Sequence, residues 1–214
     1  AKYLDVAEVS LLNNVLAAVN LEGNRFFYVN PLEADGKNPF NHGTAGRAPW
    51  FGTACCPSNM ARLLPQVQGM TYAHDDKNLY LAMYAETSTE LEVGGTKLAI
   101  SQKTNYPNDG RIEVSLNPEK PVSFSLRLRI PTWTGKQFVP GKLYHYLKPS
   151  KPKWKISVNG KTVNPKTELG FVLLERQWKK GDKVVLELPM PTLLNECDKR
   201  VEDNHNRVAF TRGP

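Results

Sequence analysis

The sequence predicts an α+β protein, with helices in residues 1–74 and an antiparallel β-sandwich in residues 75–214. Apolar residues near the start recur at the spacing of a helix that packs one face against a core. From Thr71 onward this spacing gives way to short alternating runs, which are typical of strands with one buried face. Turn signals separate these runs at short intervals, as in β-sandwiches.

Two helices are predicted in the first part of the chain. Residues 3–21 form the first, and Gly23 follows as a stop signal. Its core-facing stripe consists of Leu4, Leu11, Leu12, Val15, Leu16 and Val19. The second runs from Asn59 to about Val67, and Pro65 is expected to kink it or end it early. Between the helices we expect a short aromatic strand at residues 25–29 and a pocket-lining loop at residues 33–49.

Two hairpins carry the strongest strand signals of the second part. Gly94-Gly95 divides residues 91–100, and Asn159-Gly160 divides residues 155–163. Both dipeptides favour the tight turns that connect antiparallel strands. Further strands are predicted at residues 78–84, 111–116, 122–130, 171–174, 184–188 and 207–211.

Composition restricts the class of protein. The chain has 214 residues and is 40% hydrophobic, enough for a packed core in one large domain or two parts. It contains no run of about 18 apolar residues, so no membrane span is predicted.

A basic segment surrounds Trp154 and contributes to the formal charge of +7. Its lysines are Lys148, Lys151, Lys153 and Lys155. A basic segment with an aromatic residue can bind nucleic acid. No nucleic-acid motif accompanies this one, and a solvated basic loop is the commoner explanation. We therefore predict no nucleic-acid partner.

The adjacent residues Cys55 and Cys56 are the main candidates for chemistry. Pro57 follows them and suits the first turn of a helix, and Ser58 or Asn59 is predicted to cap the free N–H groups. The cysteines then lie at or just before a helix N-terminus, where the helix dipole favours thiolate over thiol. Thiolate is the form that attacks carbon and binds metal.

Three other interpretations of the cysteine pair remain open. Buried cysteines often act as small apolar residues. The two sulfurs could form a strained vicinal disulfide, or they could supply half of a structural zinc site. The third cysteine, Cys197, is distant in sequence, so the pattern does not indicate a disulfide scaffold.

Several segments resemble glycoside hydrolase family 127, the β-L-arabinofuranosidase family. The most specific is residues 50–59, Trp-Phe-Gly-Thr-Ala-Cys-Cys-Pro-Ser-Asn. Residues 25–32, Arg-Phe-Phe-Tyr-Val-Asn-Pro-Leu, and the amphipathic segment before them are also similar. So are residues 177–182, 188–190 and 212–214. The matches follow the family's order over nearly the whole chain.

The resemblance implies a fold for each part. Residues 1–74 would be the last section of a catalytic (α/α)6 barrel that carries the Cys-Cys motif, and residues 75–214 would be a β-sandwich domain. The chain is then expected to be the C-terminal portion of a longer protein, with most of the barrel upstream of Ala1.

The resemblance also implies a mechanism. Cys55 would be the nucleophile of a retaining hydrolase that acts on β-L-arabinofuranosides or a related sugar. Cys56 would bind zinc, with Cys55 on or near the metal. The other ligands, a glutamate and a cysteine of a Glu-x-Cys motif, and the acid/base glutamate have no match here. They are expected upstream of Ala1, so the 214 residues alone should be inactive.

Four residues are candidates for contact with the carbohydrate substrate. Tyr28 and Asn30 lie in the second matched motif and could hydrogen-bond sugar hydroxyls, while His42 and Trp50 could contact the sugar from the loop. Core packing of Tyr28 and Trp50 is the alternative. The expected partners are carbohydrate and the rest of the same polypeptide. Two other functions stay open: a non-catalytic β-sandwich that binds carbohydrate or docks on a barrel, and a structural zinc protein.

Overall fold

The computed structural model describes residues 1–31, 33–149, 151 and 153–214, which form two compact units. One unit is Ala7–Gly69, and the other combines Ala1–Val6 with Met70–Pro214. Leu32, the last residue of the second matched motif, lies outside the described residues. No helix in the described part of the chain is long and apolar enough to span a membrane.

Two α-helices lie in the first part of the chain, as the apolar spacing predicts. Helix α1 is Lys2–Ser10, and a π-helical turn at Leu11–Val15 and a 3-10 turn at Leu16–Ala18 continue it. Helix α2 is Cys55–Leu63, four residues earlier at its start than predicted. A 3-10 segment at Leu64–Met70 follows, so the α-helix ends just before Pro65, which has no N–H to continue it.

The predicted strand at residues 25–29 is wrong. In this segment only Phe26 forms β-bridges, one with Val19 and one with Ala48. The backbone N–H groups of Tyr28 and Val29 donate instead to the side chain of Asn41. Residues 33–49 contain no helix or extended strand, in agreement with the predicted loop.

Fourteen strands follow in the described residues. They are β1 Tyr72–His74, β2 Asn78–Leu81, β3 Thr87–Val93, β4 Thr96–Thr104, β5 Arg111–Pro118, β6 Val122–Arg129, β7 Tyr144–Tyr146, β8 Lys155–Val158, β9 Lys161–Thr162, β10 Thr167–Glu168, β11 Phe171–Trp178, β12 Asp182–Glu187, β13 Leu193–Cys197 and β14 Ala209–Thr211. The sequence did not predict the short strands β1, β7, β10 and β13.

The strands form three sheets. A five-stranded sheet has the order β1-β2-β6-β11-β10, and a six-stranded sheet has the order β3-β4-β5-β12-β8-β9. A small third sheet has the order β14-β13-β7. Strands β2 and β6 are parallel, and the other described pairs are antiparallel. The predicted predominance of antiparallel strands is therefore confirmed in the described residues.

One hydrophobic core joins the two large sheets. Leu126 and Leu128 of β6 belong to the same cluster as Ile112 and Leu116 of β5, and all four are fully buried. Trp178 is also buried, and its indole N–H donates to the carbonyl of Phe124 at 3.1 Å. This tryptophan is therefore part of the core. Both predicted hairpins are present, with Gly94-Gly95 and Asn159-Gly160 at positive φ.

A buried ion pair joins Asp5 to the sandwich within its own unit. Arg129 Nη1 lies 2.6 Å from Asp5 Oδ1, and the two side chains are 0% and 3% exposed. The hydroxyl of Thr132 donates to the other carboxylate oxygen at 2.5 Å, and Arg129 Nε donates to the carbonyl of Ala82 at 2.6 Å. Hydrogen bonds thus reach both ions, which is what a buried pair needs to offset the cost of dehydration.

We predict that Asp5→Ala lowers the free energy of unfolding by about 3–5 kcal/mol, because it leaves the Arg129 guanidinium buried without its counter-ion. Urea unfolding followed by tryptophan fluorescence measures the change. Glu187→Ala is the matched control: its carboxylate is 55% exposed beside Arg111, and its loss should cost no more than about 1 kcal/mol. Equal losses in the two variants would contradict the assignment.

Candidate active site

The two adjacent cysteines occupy the first two positions of α2. Residue Ala54 is the N-cap and makes no side-chain capping bond. The predicted caps are wrong, because the helix begins before them. The Ser58 hydroxyl and the Asn59 amide instead donate to the carbonyl of Cys55, at 3.1 and 2.8 Å. Pro57 lies in the first turn, where an N–H has no helical acceptor and its absence costs little.

The two thiols are separate groups. Cys55 Sγ and Cys56 Sγ lie 3.8 Å apart and both cysteines are free, so the pair is not a vicinal disulfide. Cys55 is exposed and Cys56 is half-buried. The exposed thiol is therefore the one that a substrate can reach.

The hydroxyl of Tyr28 contacts the exposed thiol. Cys55 Sγ donates to Tyr28 Oη at 3.2 Å, and the same hydroxyl can donate to the sulfur once the thiol is ionised. The sequence predicts that Tyr28 binds sugar, and in the structure its hydroxyl lies against the candidate nucleophile. A contact across 27 residues has no local sequence signal.

Two rings fix the tyrosine. His42 packs edge-on against Tyr28 with ring centroids 4.2 Å apart, and Phe51 packs edge-on at 5.4 Å. The rings of His42 and Phe51 also contact each other at 5.6 Å. His42 has a φ of 51°, in the left-handed region that favours glycine. The loop thus brings His42 against the ring of Tyr28.

Asn41 holds the backbone of this site in place and was not predicted. Its side chain is fully buried and accepts from the N–H groups of Tyr28 and Val29 at 2.7 and 3.3 Å. Its amide donates to the carbonyls of Phe26 and Gly46 at 3.2 and 2.8 Å. For Tyr28 and Val29, this one side chain therefore takes the place of a strand partner.

Arg47 ties the same loop to the end of the first helical segment. Its Nη2 donates to the carbonyl of Ala17 at 2.5 Å, and its guanidinium lies 4.4 Å from the ring centroid of Phe27. A cation at the carbonyl end of a helix is favourable. Arg47 therefore stabilises the loop through both contacts.

The neighbouring groups shift the two thiols in opposite directions. The hydrogen bond with the Tyr28 hydroxyl, followed by that with Cys56, lowers the pKa of Cys55. Burial, followed by the hydrogen bond with Cys55, raises the pKa of Cys56. The bond to Cys55 raises the pKa of Tyr28. A single negative charge in this cluster therefore resides on Cys55, the exposed sulfur.

The other two candidate residues have different surroundings. Asn30 donates through Nδ2 to Asn14 Oδ1 at 2.6 Å. Trp50 is 61% exposed and makes no ring contact within the described residues, so it is not a core residue. Neither contacts the thiol in the described structure, and their contact with a sugar stays a prediction.

The thiol pair fits two positions of a zinc site. Two thiolates bound at about 2.3 Å to one tetrahedral zinc lie about 3.8 Å apart. The observed sulfur separation is 3.8 Å. Within the described part of the chain, no three His, Cys, Asp or Glu side chains gather in a way that could hold a metal. A structural zinc site formed by these residues alone is therefore not supported.

Family models match both parts of the chain. Residues 1–69 match the β-L-arabinofuranosidase GH127 catalytic domain, and residues 78–190 match the GH127 middle domain. The chain belongs to glycoside hydrolase family 127. Because residues 1–69 match a catalytic domain, the chain is not a free-standing sandwich module.

Comparison with individual proteins supports the same family. It is 33% identical over 222 residues to a non-reducing end β-L-arabinofuranosidase of Bifidobacterium longum subsp. longum, covering 100% of this chain and 31% of that protein. A solved GH127 β-arabinofuranosidase is 39% identical with a TM-score of 0.92, and the Geobacillus stearothermophilus T6 GH127 β-L-arabinofuranosidase is 33% identical with a TM-score of 0.84. Each match covers 100% of this chain and 32% of the solved chain. The chain thus spans about a third of these relatives.

We predict that Tyr28→Phe moves the pH midpoint of Cys55 alkylation upward. The lowered pKa of Cys55 gives more thiolate near neutral pH than an ordinary cysteine has, and the lost hydroxyl is the main cause of that shift. Iodoacetamide labelling of the metal-free chain, read by peptide mass spectrometry across pH, measures the midpoint.

The control for this experiment is Tyr144→Phe, which removes a partly exposed hydroxyl from β7 in the sandwich. It should leave the Cys55 profile unchanged. An unchanged profile in Tyr28→Phe would show that the hydrogen bond does not control the thiol.

Proposed function

We propose that this chain supplies the Cys-Cys portion of the active site of a retaining glycoside hydrolase that acts on β-L-arabinofuranosides, with Cys55 as the nucleophile. The observation that carries the proposal is the exposed Cys55 thiol, whose pKa is lowered by the Tyr28 hydroxyl at 3.2 Å. Family membership and the names of the relatives support the substrate class.

The architectural part of the proposal follows the family models. Residues 1–74 are the last section of an (α/α)6 catalytic barrel, and residues 75–214 are the β-sandwich domain. The separate matches at residues 1–69 and 78–190 support this division. The remainder of the catalytic domain must then be supplied by sequence outside these 214 residues.

Cys55 and Cys56 are proposed as two ligands of a zinc ion, and the 3.8 Å sulfur separation supports this. Bound zinc would keep coordinated thiols deprotonated at neutral pH. The glutamate and cysteine of a Glu-x-Cys motif are proposed as the other ligands, and they would lie outside this chain.

The reaction is proposed to proceed by two displacements. In the first, Cys55 Sγ attacks the anomeric carbon while the glycosidic C–O bond breaks, and a carboxylic acid outside this chain protonates the leaving oxygen. In the second, that carboxylate takes a proton from water, whose oxygen displaces the sulfur. The sugar leaves with retained configuration and the thiolate is regenerated.

Other residues of this chain position the groups that react. Tyr28 donates its hydroxyl hydrogen to the ionised sulfur and so stabilises the negative charge on Cys55. The rings of His42 and Phe51 hold Tyr28 in that position. Tyr28, Asn30, His42 and Trp50 are proposed to contact the bound arabinofuranose, and the exposure of Trp50 leaves its face open to a sugar ring.

We predict that Cys55→Ala and Cys56→Ala fail differently in a polypeptide that joins this chain to the rest of a catalytic domain. Cys55→Ala should lower kcat at least about a thousandfold through loss of the attacking atom, with part of the zinc retained. Cys56→Ala should lower zinc content first and activity through it. Hydrolysis of a nitrophenyl β-L-arabinofuranoside and elemental analysis of the purified variants provide the two measurements.

Cys197→Ala is the control, since this half-buried cysteine lies on β13 outside the site. It should keep both activity and zinc. Full activity in Cys55→Ala would end the nucleophile hypothesis.

A further inference from the structure

A groove on the sandwich unit brings together the basic segment around Trp154 and two neighbouring loops. The segment leads into β8, and the loops follow β6 and β9. The groove has a volume of about 930 Å³, within the range of roughly 300–1,000 Å³ typical of ligand pockets. The proposed catalytic chemistry makes no use of it.

The charge of the groove has one sign. Lys136, Lys151, Lys153 and Lys155 line it, and no aspartate or glutamate is among its described lining residues. None of these four lysines forms an ion pair with another described residue. Lys151, Lys153 and Lys155 are exposed. A ligand with spaced negative charges would supply the missing counter-ions.

The indole ring of Trp154 contributes to the lining of the groove. Trp154 is half-buried, packs against the hydrophobic core of the sandwich and also lines the groove. A ring held in this way offers a face to a ligand without a large entropy cost. Gln137, Asn164 and Thr167 add amide and hydroxyl groups to the lining, and such groups can hydrogen-bond sugar hydroxyls.

We propose that this groove binds an acidic polysaccharide, in which a sugar ring packs on Trp154 and uronate carboxylates pair with the lysines. Nucleic acid is the less favoured polyanion, because single-stranded binding uses several aromatic rings on which successive bases stack, and Trp154 is the only aromatic residue in the described lining. The groove would hold an anionic glycan chain close to an enzyme that acts on glycans. The binding itself does not depend on Cys55.

Isothermal titration with polygalacturonate, on the complete polypeptide carrying Cys55→Ala, tests the proposal without interference from turnover. We expect saturable binding that weakens as salt is raised, because screening reduces each lysine–carboxylate attraction. Methyl-esterified polygalacturonate, which lacks the charges, should bind at least tenfold more weakly. Equal binding of the two polymers would overturn the charge-based recognition.

Substitutions in the groove test whether it is the binding site. Lys153→Glu/Lys155→Glu should weaken binding at least tenfold, whereas Lys179→Glu/Lys180→Glu, an equal charge change at exposed lysines after β11, should change it less than twofold. Trp154→Leu should weaken binding at least threefold and Trp154→Phe should change it less, with folding checked by thermal unfolding. Equal effects of the two lysine pairs would overturn the site.

Competition by single-stranded DNA separates the two kinds of polyanion. The proposal predicts that a 20-nucleotide strand competes at least tenfold more weakly than polygalacturonate of similar charge. Stronger competition by DNA would replace the proposal with a nucleic-acid site. If the unsubstituted enzyme hydrolyses its substrate but Cys55→Ala does not bind polygalacturonate, only this inference is refuted. If Cys55→Ala binds polygalacturonate and also retains hydrolysis, only the proposed nucleophile is refuted.

Discussion

The buried amide of Asn41 is the constraint on which the candidate site depends. It forms four hydrogen bonds to backbone groups of residues 26–29 and 46 and thereby fixes a segment that has no regular secondary structure. Each buried backbone group left without a partner would cost about 1–3 kcal/mol. Tyr28 belongs to this segment, so the position of its hydroxyl at Cys55 follows from the bonds of Asn41.

The contrast between the two thiols follows from their surroundings. Adjacent positions in the first turn of a helix direct one side chain outward and leave the other half-buried. The Tyr28 hydroxyl stabilises negative charge on the exposed sulfur, and burial disfavours it on its neighbour. This asymmetry supports the proposed division of roles, in which Cys55 attacks the sugar and Cys56 only binds metal, although the two residues are chemically identical. The 3.8 Å separation of the sulfurs is compatible with the proposed binding of both thiolates to one zinc ion.

The features that the sequence predicted well are set by local interactions. The Gly94-Gly95 and Asn159-Gly160 turns require positive φ, and Pro65 lacks the N–H needed to extend α2. The cysteines' place at a helix start follows from Pro57 in the same way. The caps were misassigned because Pro57 is tolerated at several positions of the first turn, so it does not specify where the helix begins.

The features that the sequence did not predict depend on distant partners. The side chain of Asn41 hydrogen-bonds backbone groups 12–15 residues away in sequence. Asp5 forms an ion pair with Arg129, which is 124 residues away. Strands β7 and β13 are short and pair with each other across about 50 residues, so neither carries a clear alternating pattern. The motif at residues 50–59 identified the cysteines. No local sequence signal indicated that the hydroxyl of Tyr28 lowers the pKa of Cys55.

In the proposed mechanism Cys55, rather than a carboxylate, attacks the sugar. The most direct test is covalent labelling of the active polypeptide with an epoxide analogue of β-L-arabinofuranose, followed by peptide mass spectrometry. We expect one adduct on the peptide that contains Cys55, with fragment ions that place it on that sulfur, and we expect substrate to protect against labelling. An adduct on an aspartate or glutamate, with Cys55 left unmodified, would contradict it.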